Sequence, residues 1–290
     1  MKSFLYVLFS LFVLLPSKSL QAQVSVWQES QSKMKSLKQK KDKQQSHLRE
    51  WKNYIEKEAA TSDYHYALSV GARLNTNGWS GGLYFLKQKD AGKQILWELH
   101  VSEIKHEKET KQENTKTVFK NLGKGRPYIF GKSNSVYTLQ LGYGRQQLLF
   151  PALLDGNLSV SLRYATGPGL AFLKPYYLEL IYIKPGTADE VELRSEKYSA
   201  DNARRFLEAG NIHGADKWGK GLGETKIIPG LFGELAFVLE PDKPKTFIQT
   251  ITFGGKAAIY TKPLEIMADR KAYRYQLSLF VGLAIGGRWK

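Results

Sequence analysis

Residues 273–289, YRYQLSLFVGLAIGGRW, alternate between large apolar side chains and mostly small or polar ones. The apolar series occupies the odd positions, with aromatic residues at both ends: Tyr273, Tyr275, Leu277, Leu279, Val281, Leu283, Ile285 and Trp289. The even positions include Arg274, Gln276, Ser278, Gly282, Ala284 and Arg288. A period of two residues is that of a β-strand with two chemically different faces. The stretch therefore predicts a strand with one apolar face and one polar face.

The same alternation begins at Tyr64 and recurs along the chain. It predicts eight strands, at 64–75, 80–89, 93–104, 134–148, 157–183, 229–240, 246–261 and 272–289. The segment 157–183 is longer than the 9–11 residues or so that a membrane-spanning strand needs, and we interpret it as one bent strand that projects beyond the bilayer. A hairpin at 167–169 is the alternative interpretation, and ten strands is then our second choice.

Charged residues share the polar faces of these strands with Gly, Ala and Ser. They are Arg73, Glu98, Arg163, Glu179, Glu234, Lys256 and Arg274, and His100 lies in the same row as Glu98. Small residues among charges of both signs are typical of a narrow closed barrel, where Arg and Glu can pair across the lumen. The apolar faces then point to lipid, with aromatic girdles at their ends. We therefore predict a transmembrane antiparallel up-and-down β-barrel; a soluble sandwich or lipocalin-like barrel is the alternative.

The N-terminus predicts export. Lys2 precedes an apolar run at 4–15, and residues 17–22 are small or polar. About a dozen apolar residues are fewer than the roughly 20 of a spanning helix, so we predict a cleaved signal peptide at 1–22. The mature chain then consists of a helical, periplasmic extension at 23–62 and a barrel at 63–290, with long loops at 105–133 and 184–228 on the same side.

The extension is rich in lysine, in a chain whose formal charge is +16. Its apolar residues, Trp27 and Trp51 among them, follow helical spacing in 24–60. No nucleic-acid recognition motif accompanies the lysines, so we predict no nucleic-acid partner. A helix on the membrane surface or against a protein partner is the functional interpretation, with Trp27 and Trp51 as candidate contacts.

Motifs for chemistry are largely missing from the sequence. There is no Cys, and the five His show no metal-ligand spacing, so we predict no catalytic, cofactor or metal residues. Glu98, His100 and Ser102 form a row on one strand face, but at strand rise the neighbours stand about 6.5–7 Å apart, too far for direct hydrogen bonds. We interpret this row as part of a polar lumen.

A family resemblance rests on three features. The signal peptide ends in Leu20-Gln21-Ala22-Gln23, the strands are bounded by Tyr, and the last strand ends in residues 286–289, GGRW. With these features residues 64–289 resemble bacterial outer-membrane β-barrel proteins, above all small uncharacterised barrels of Bacteroidota. The resemblance implies a Gram-negative outer membrane and contact with its lipid and lipopolysaccharide.

These observations favour a non-enzymatic barrel that acts as an anchor or accessory subunit of a secretion or transport assembly. The loop 105–133 carries eight Lys or Arg against three Glu and is a candidate contact for lipopolysaccharide phosphates. Trp218, among glycines in 184–228, is a candidate protein contact. A lipid-modifying enzyme with its site at the rim is the alternative function, and a narrow channel is another if the strands number ten or more.

Overall fold

A computed structural model describes residues 33–46, 49–50, 53, 64–90, 92–114, 123–150, 158–184, 186, 190–241 and 246–290. The chain divides into two units, Met1–Lys57 and Glu58–Lys290. In the first unit, residues 33–46 form helix α1, whose side chains are all exposed. In the described part of the chain no helix has the length and apolar character to cross a membrane. The predicted signal peptide at 1–22 lies outside the described residues.

The second unit is built mainly of strands. In chain order they are β1 (Tyr66–Asn75), β2 (Gly78–Asp90), β3 (Lys93–Ile104), β4 (Lys111–Gln112), β5 (Tyr128–Ile129), β6 (Asn134–Phe150), β7 (Leu158–Pro175), β8 (Tyr177–Ile183), β9 (Val191–Lys197), β10 (Ile212–Ala215), β11 (Lys226–Pro241), β12 (Phe247–Leu264) and β13 (Tyr273–Trp289). Helix α2 (Ala203–Phe206) and the short 3-10 turns Ala209–Asn211 and Leu222–Glu224 lie between β9 and β11.

Eight of these strands close into a barrel in the order β1-β13-β12-β11-β7-β6-β3-β2. All neighbours pair antiparallel, and the first and last strands close the ring from Tyr66 opposite Trp289 to Asn75 opposite Phe280. The predicted up-and-down barrel of eight strands is confirmed. The period-two pattern was sufficient here because each strand buries one face and exposes the other.

The strand predicted at 157–183 is in fact two strands. Pairing of β7 with β11 begins at Leu173 opposite Lys226, and Pro175, which has no N–H to donate, ends β7. The chain then leaves the barrel as β8, which pairs with β9 and β10 in a separate sheet. Glu179 lies on β8 and is therefore not in the lumen. The loop 184–228 contains β9 and β10, and residues 177–183 pair with these two strands instead of with strands of the barrel.

The outer wall of the barrel is apolar. Residues pointing outward from β13 show the pattern, since Leu277, Leu279 and Leu283 are 72%, 67% and 65% exposed. At the end of the barrel where β1 begins and β13 finishes, Tyr66 stacks between Phe85 and Trp289 at centroid distances of 6.0 and 6.2 Å. Such a belt with an aromatic girdle is stable in lipid and not in water. The soluble alternative is therefore wrong.

The two ends of the barrel differ. Connections at the end where β1 begins are short, at 91–92, 151–157 and 242–246, whereas the other end carries 105–133 and 176–225. Short periplasmic turns, long extracellular loops and an even strand number characterise barrels of the bacterial outer membrane. The protein lies in the outer membrane with the long segments outside.

Side chains fill the lumen in three layers. An apolar cluster near the extracellular mouth includes Val136, Phe232, Tyr260 and Leu264, and it continues into Met267 of the β12–β13 loop. Another apolar cluster, around Leu86, Leu96 and Ile248, lies near the periplasmic end. Charged residues occupy the middle. A cavity in the upper lumen, beside Thr138 and Lys256, has a volume of about 10 Å³, no more than one water molecule requires.

Candidate functional site

A cluster of charged residues lies between the two apolar layers of the lumen. Arg73 comes from β1, Glu98 and His100 from β3, Arg163 from β7 and Glu234 from β11, and each is at most 5% exposed. Successive side chains of a strand face opposite ways, so the alternation that sends apolar residues to lipid sends these inside. We call these five residues the central cluster.

Arg73 and Glu234 form the strongest contact of the central cluster. Arg73 donates from Nη1 to Glu234 Oε2 at 2.8 Å and from Nη2 to Oε1 at 3.1 Å. Both side chains are almost completely buried, at 3% and 0% exposure. A bidentate pair of this kind is geometrically specific, and losing one partner would leave an unpaired charge in a dry interior. The pair therefore ties β1 to β11 across the lumen.

His100 lies beside both carboxylates. Its Nε2 is 3.4 Å from Glu98 Oε2 and 4.0 Å from Glu234 Oε2. Side-chain atoms of Glu98 and His100 have no hydrogen-bond partner among the described residues. Potential ligand atoms of Glu98, His100 and Glu234 lie within 4.8 Å of one another.

This geometry alone resembles a metal site, but the surrounding charges oppose one. Both oxygens of Glu234 already accept hydrogen bonds from Arg73, and Arg163 also belongs to the cluster. The two arginines balance the two glutamates when His100 is neutral, so a divalent cation would find no net negative charge to stabilise it. The arrangement favours an internal ion-pair network.

Tyr84 of β2 contacts both arginines of the central cluster. The guanidinium carbons of Arg73 and Arg163 lie 5.1 and 4.8 Å from the centre of its ring, and the His100 ring packs edge-on at 5.3 Å. Arg163 also donates from Nε and Nη2 to Gln146 Oε1, at 3.0 and 2.8 Å. Cation–π contacts strengthen when water is excluded, so one tyrosine holds two like charges apart inside the barrel.

Glycines on the neighbouring strands make room for the central cluster, since Gly142 pairs with Glu98 and Gly282 with Arg73. A Cβ on Gly142 would lie 2.5 Å from Cγ and 2.6 Å from Oε1 of Glu98, and one on Gly282 would lie 2.5 Å from Cγ of Arg73. Both glycines sit on the inward phase of their strands. The small residues of the alternating pattern thus leave the space that the large charged side chains occupy.

We expect the substitution Gly142→Ala to lower the free energy of unfolding of the barrel by about 1–3 kcal/mol, because a methyl group in a filled core forces its neighbours out of place. Urea unfolding of the purified protein in lipid vesicles measures this. Gly223→Ala is the matched control, since a Cβ there meets nothing within 4 Å. Equal stability of the two variants would contradict the role assigned to Gly142.

The structure separates the seven residues predicted for a polar lumen. Arg73, Glu98, His100, Arg163 and Glu234 come together in the central cluster. Lys256 lies higher in the lumen, is half-buried and donates from Nζ to Gln140 Oε1 at 3.1 Å. The prediction for Arg274 is wrong: it is exposed at the extracellular end of β13. Its strand phase is inward, but the strand there extends beyond the closed lumen.

The row of Glu98, His100 and Ser102 faces inward from β3. The three residues are 3%, 1% and 2% exposed, and the upper apolar layer separates them from the outside. A substrate from the membrane does not reach these side chains. The row therefore belongs to the packed interior, as the strand geometry alone suggested.

Of the three tryptophans predicted as partner contacts, the structure describes one. Trp27 and Trp51 lie outside the described residues. Trp218 is 66% exposed, and its Nε1 donates to the hydroxyl of Tyr137 at 3.0 Å. Lys174 donates from Nζ to the Trp218 carbonyl at 2.7 Å and lies 5.3 Å from the Trp218 ring. The indole is therefore fixed at the extracellular end of the outer wall.

Strands β8, β9 and β10 and helix α2 pack around a core of their own and are here called the extracellular domain. This domain was not predicted from the sequence. Its core contains Leu178, Leu180, Phe206 and Ile212, all 0% exposed, together with Tyr128 of β5. Strands of four to seven residues within a long polar segment carry only a weak periodic signal. Leu178, Leu180 and Tyr182 continue the outward phase of the preceding strand, and this series was therefore assigned to the barrel.

Asp216 accepts several hydrogen bonds in the extracellular domain, just after β10. Its carboxylate accepts hydrogen bonds from the Ser195 hydroxyl, from the Lys217 N–H at 2.6 Å and from Lys220 Nζ at 3.1 Å. Burial raises the pKa of Asp216, but these hydrogen bonds outweigh burial and hold its pKa below the usual value. The carboxylate is therefore ionised at neutral pH. Its hydrogen bond with Ser195 links the segment that follows β10 to a side chain of β9.

A buried ion pair joins the two ends of the loop 105–133 at the mouth of the barrel. Lys132 Nζ lies 2.7 Å from Glu109 Oε2, with side-chain exposures of 4% and 3%. Residue 132 also bridges to Met267 of the β12–β13 loop. Nothing in the sequence distinguishes Lys132 from the other lysines of this loop, because only the fold shows which lysine is covered.

Comparisons with known proteins give structural neighbours alone. No protein-family model matches the chain, and no curated protein matches it in sequence. Among solved structures, the chain is similar to the attachment invasion locus protein Ail of Yersinia pestis at 9% identity and a TM-score of 0.36, covering 78% of this chain and 99% of Ail.

Two further structures show a similar degree of likeness. Neisserial surface protein A has 6% identity and a TM-score of 0.38, covering 77% of this chain and 96% of that one. A major outer membrane protein of Thermus thermophilus has 10% identity and a TM-score of 0.36, covering 77% and 99%. The assignment of this chain to a membrane barrel rests on its own belt, lumen and strand topology.

Proposed function

We propose that this protein is a non-enzymatic anchor that holds the extracellular domain at the outer-membrane surface, as an accessory subunit of a larger envelope assembly. One observation carries the proposal: the barrel is filled, whereas the segment above it folds around a core of its own. An anchor needs a stable barrel and a presented surface, and both are present. Contacts with outer-membrane lipid and lipopolysaccharide accompany this role.

The filled lumen supports a structural role over permeation. A narrow channel was the alternative if the strands numbered ten or more, and the barrel has eight. Eight-stranded barrels of this type are packed by their own side chains. We expect the purified protein to give no stepwise conductance in planar bilayers. Reproducible unitary currents that disappear in an Arg73→Ala or Glu234→Ala variant would contradict the proposal.

The runner-up, a lipid-modifying enzyme, gains no support from the central cluster. Glu98, His100 and Ser102 are sealed in the lumen, away from lipid and from water. Catalytic acids and bases must come within hydrogen-bond reach of a substrate. An enzymatic role would therefore require other residues at the rim.

The edge of the extracellular sheet is the surface we assign to the partner. Strand β9 is an edge strand in the order β10-β8-β9. Leu193 of β9 is 38% exposed, and Ile183 at the end of β8 is 62% exposed. An uncovered edge presents backbone groups to which a strand of another protein can pair. We propose an extended segment of a second envelope protein as the partner.

Size exclusion of detergent-extracted outer membranes tests the anchor proposal. We expect the wild-type chain to elute in a complex larger than the barrel with its micelle, and the double variant Ile183→Glu with Leu193→Glu to elute alone. Leu222→Glu is the matched control, because Leu222 is 52% exposed and lies outside the sheet. Elution of the wild type as a lone barrel, after crosslinking in intact cells, would overturn the proposal.

A further inference from the structure

A half-open cavity of about 430 Å³ lies at the extracellular rim of the barrel. Three segments surround it: the β1–β2 turn at Thr76 and Asn77, residues 105–107 after β3, and residues 264–277, which contain the β12–β13 loop. It is separate from the central cluster and from the extracellular domain. We call it the rim cavity.

The rim cavity is positively charged. Lys105, Arg270 and Lys271 line it, against one carboxylate, Glu107. Lys105 Nζ lies 3.6 Å from Glu103, and Arg270 Nε lies 3.4 Å from Asp269. Lys271, by contrast, has no carboxylate within ion-pair distance among the residues that the structure describes. The cavity therefore contains a cation available to an anionic ligand.

Two further cations lie beside Lys271 in the cavity. Arg270 and Lys105 line the same space, each next to the carboxylate named above. Arg274 is exposed but does not line the cavity, and its strand phase is opposite to that of Tyr273 and Tyr275. Three cations against one carboxylate suit a phosphate group better than a neutral ligand.

Aromatic residues fix the depth of the rim cavity in the membrane. Tyr273 and Tyr275 point outward from β13, are 45% and 58% exposed and contact each other at a centroid distance of 5.4 Å. Aromatic girdles mark the level of the lipid headgroups. Below Tyr275 on the same face come the exposed residues Leu277 and Leu279, so the cavity opens where headgroups give way to acyl chains.

We propose that the rim cavity binds the phosphorylated amino-sugar headgroup of an outer-leaflet glycolipid. Lys271 and Arg270 pair with its phosphate, Asn77 and Gln276 offer hydrogen bonds to its sugar, and Leu277 and Leu279 contact its acyl chains. A soluble polyanion would use the cations alone, whereas the cavity joins them to a lipid-facing apolar strip. This continuity favours a lipid as the ligand. The inference rests on the lipopolysaccharide contact of the proposed function and gives it a site, but it does not depend on the anchor role.

Binding to purified protein in nanodiscs tests the rim cavity. The probes are diphosphoryl lipid A and the same lipid with both phosphates removed. We expect the wild type to bind the phosphorylated lipid at least about tenfold more tightly, and the double variant Lys271→Gln with Arg270→Gln to lose that preference, since charge-assisted hydrogen bonds contribute about tenfold or more each. Leu277→Ser is expected to weaken both lipids, because it removes an acyl contact.

The binding experiment has a control variant and a test of folding. Lys226→Gln removes one exposed cation at the extracellular end of β11, outside the cavity, and is expected to retain wild-type binding. A change of gel mobility on boiling shows that each variant still forms the barrel. Equal binding of the two lipids by the wild type would overturn the proposal. So would binding of a soluble sulfated polysaccharide through Lys271 and Arg270 with no binding of lipid A.

Discussion

Replacing Glu234 by Gln is expected to lower the free energy of unfolding of the barrel by about 3–5 kcal/mol, the usual cost of removing one partner of a buried ion pair. The substitution leaves Arg73 with a neutral acceptor in the dry middle of the lumen, where the Glu234 side chain is 0% exposed. Glu98 is then the one carboxylate left in the central cluster to balance the charges of Arg73 and Arg163. Equilibrium unfolding by urea in phospholipid vesicles, followed by tryptophan fluorescence, measures the loss.

The control for Glu234 is another carboxylate of the same strand. Glu240 lies 2.6 Å from Arg288 at the periplasmic end, where the side chains are 17% and 24% exposed. Glu240→Gln is expected to cost less than about 1 kcal/mol because water screens the pair. A double variant that replaces both Arg73 and Glu234 by Leu should be more stable than Glu234→Gln, since it leaves no unpaired charge. Equal stability of Glu234→Gln and wild type would refute the account of the central cluster.

Truncating Phe206 to Ala is expected to unfold the extracellular domain and to leave the barrel intact. Phe206 is fully buried and packs edge-on against Tyr198 at 5.5 Å. Loss of such a side chain costs about 3–5 kcal/mol, which is comparable to the whole stability that a core of this size can supply. Limited proteolysis of the protein in detergent should then cut between residues 177 and 216.

Gel mobility reports on the barrel in the same experiment, whereas proteolysis reports on the extracellular domain. The Phe206→Ala protein should keep the mobility change on boiling that folded barrels show, while the wild type resists the protease throughout. Ile183→Ala serves as the matched control, because Ile183 is 62% exposed and its truncation opens no cavity. Protease resistance of the Phe206→Ala variant, or loss of its barrel, would contradict an extracellular core that folds apart from the barrel.

The barrel could be predicted from the sequence because its signal is repeated and local. In each barrel strand, alternate residues face lipid and the lumen and differ in polarity accordingly. The pattern holds over strands of 10–18 residues. The charges on the polar face then indicated which face is inside. Five of the seven predicted lumen residues lie in one cluster for this reason. Tyr84 was missed because an aromatic residue on the inward phase looks, in sequence, like any other apolar position.

The extracellular part could not be predicted to the same extent. Its strands have seven residues or fewer, too short for a period to stand out, and their partners are separated by turns and a helix. The phase of 177–183 matched that of the preceding strand, so a continuous strand was the natural prediction. Only the pairing of β8 with β9 and β10 shows that the chain leaves the barrel after Pro175.

Fold class, the number of barrel strands and the face turned to lipid all follow from the amino-acid sequence alone, because every strand repeats the same two-residue period. The choice of which charges meet required the folded chain. Arg73 and Glu234 are 161 residues apart in the chain, and Arg274 shares their strand phase yet stands outside at the rim. Pairing across a lumen depends on the height at which each residue crosses the barrel, and that height is set by strand register and shear, which no local pattern encodes.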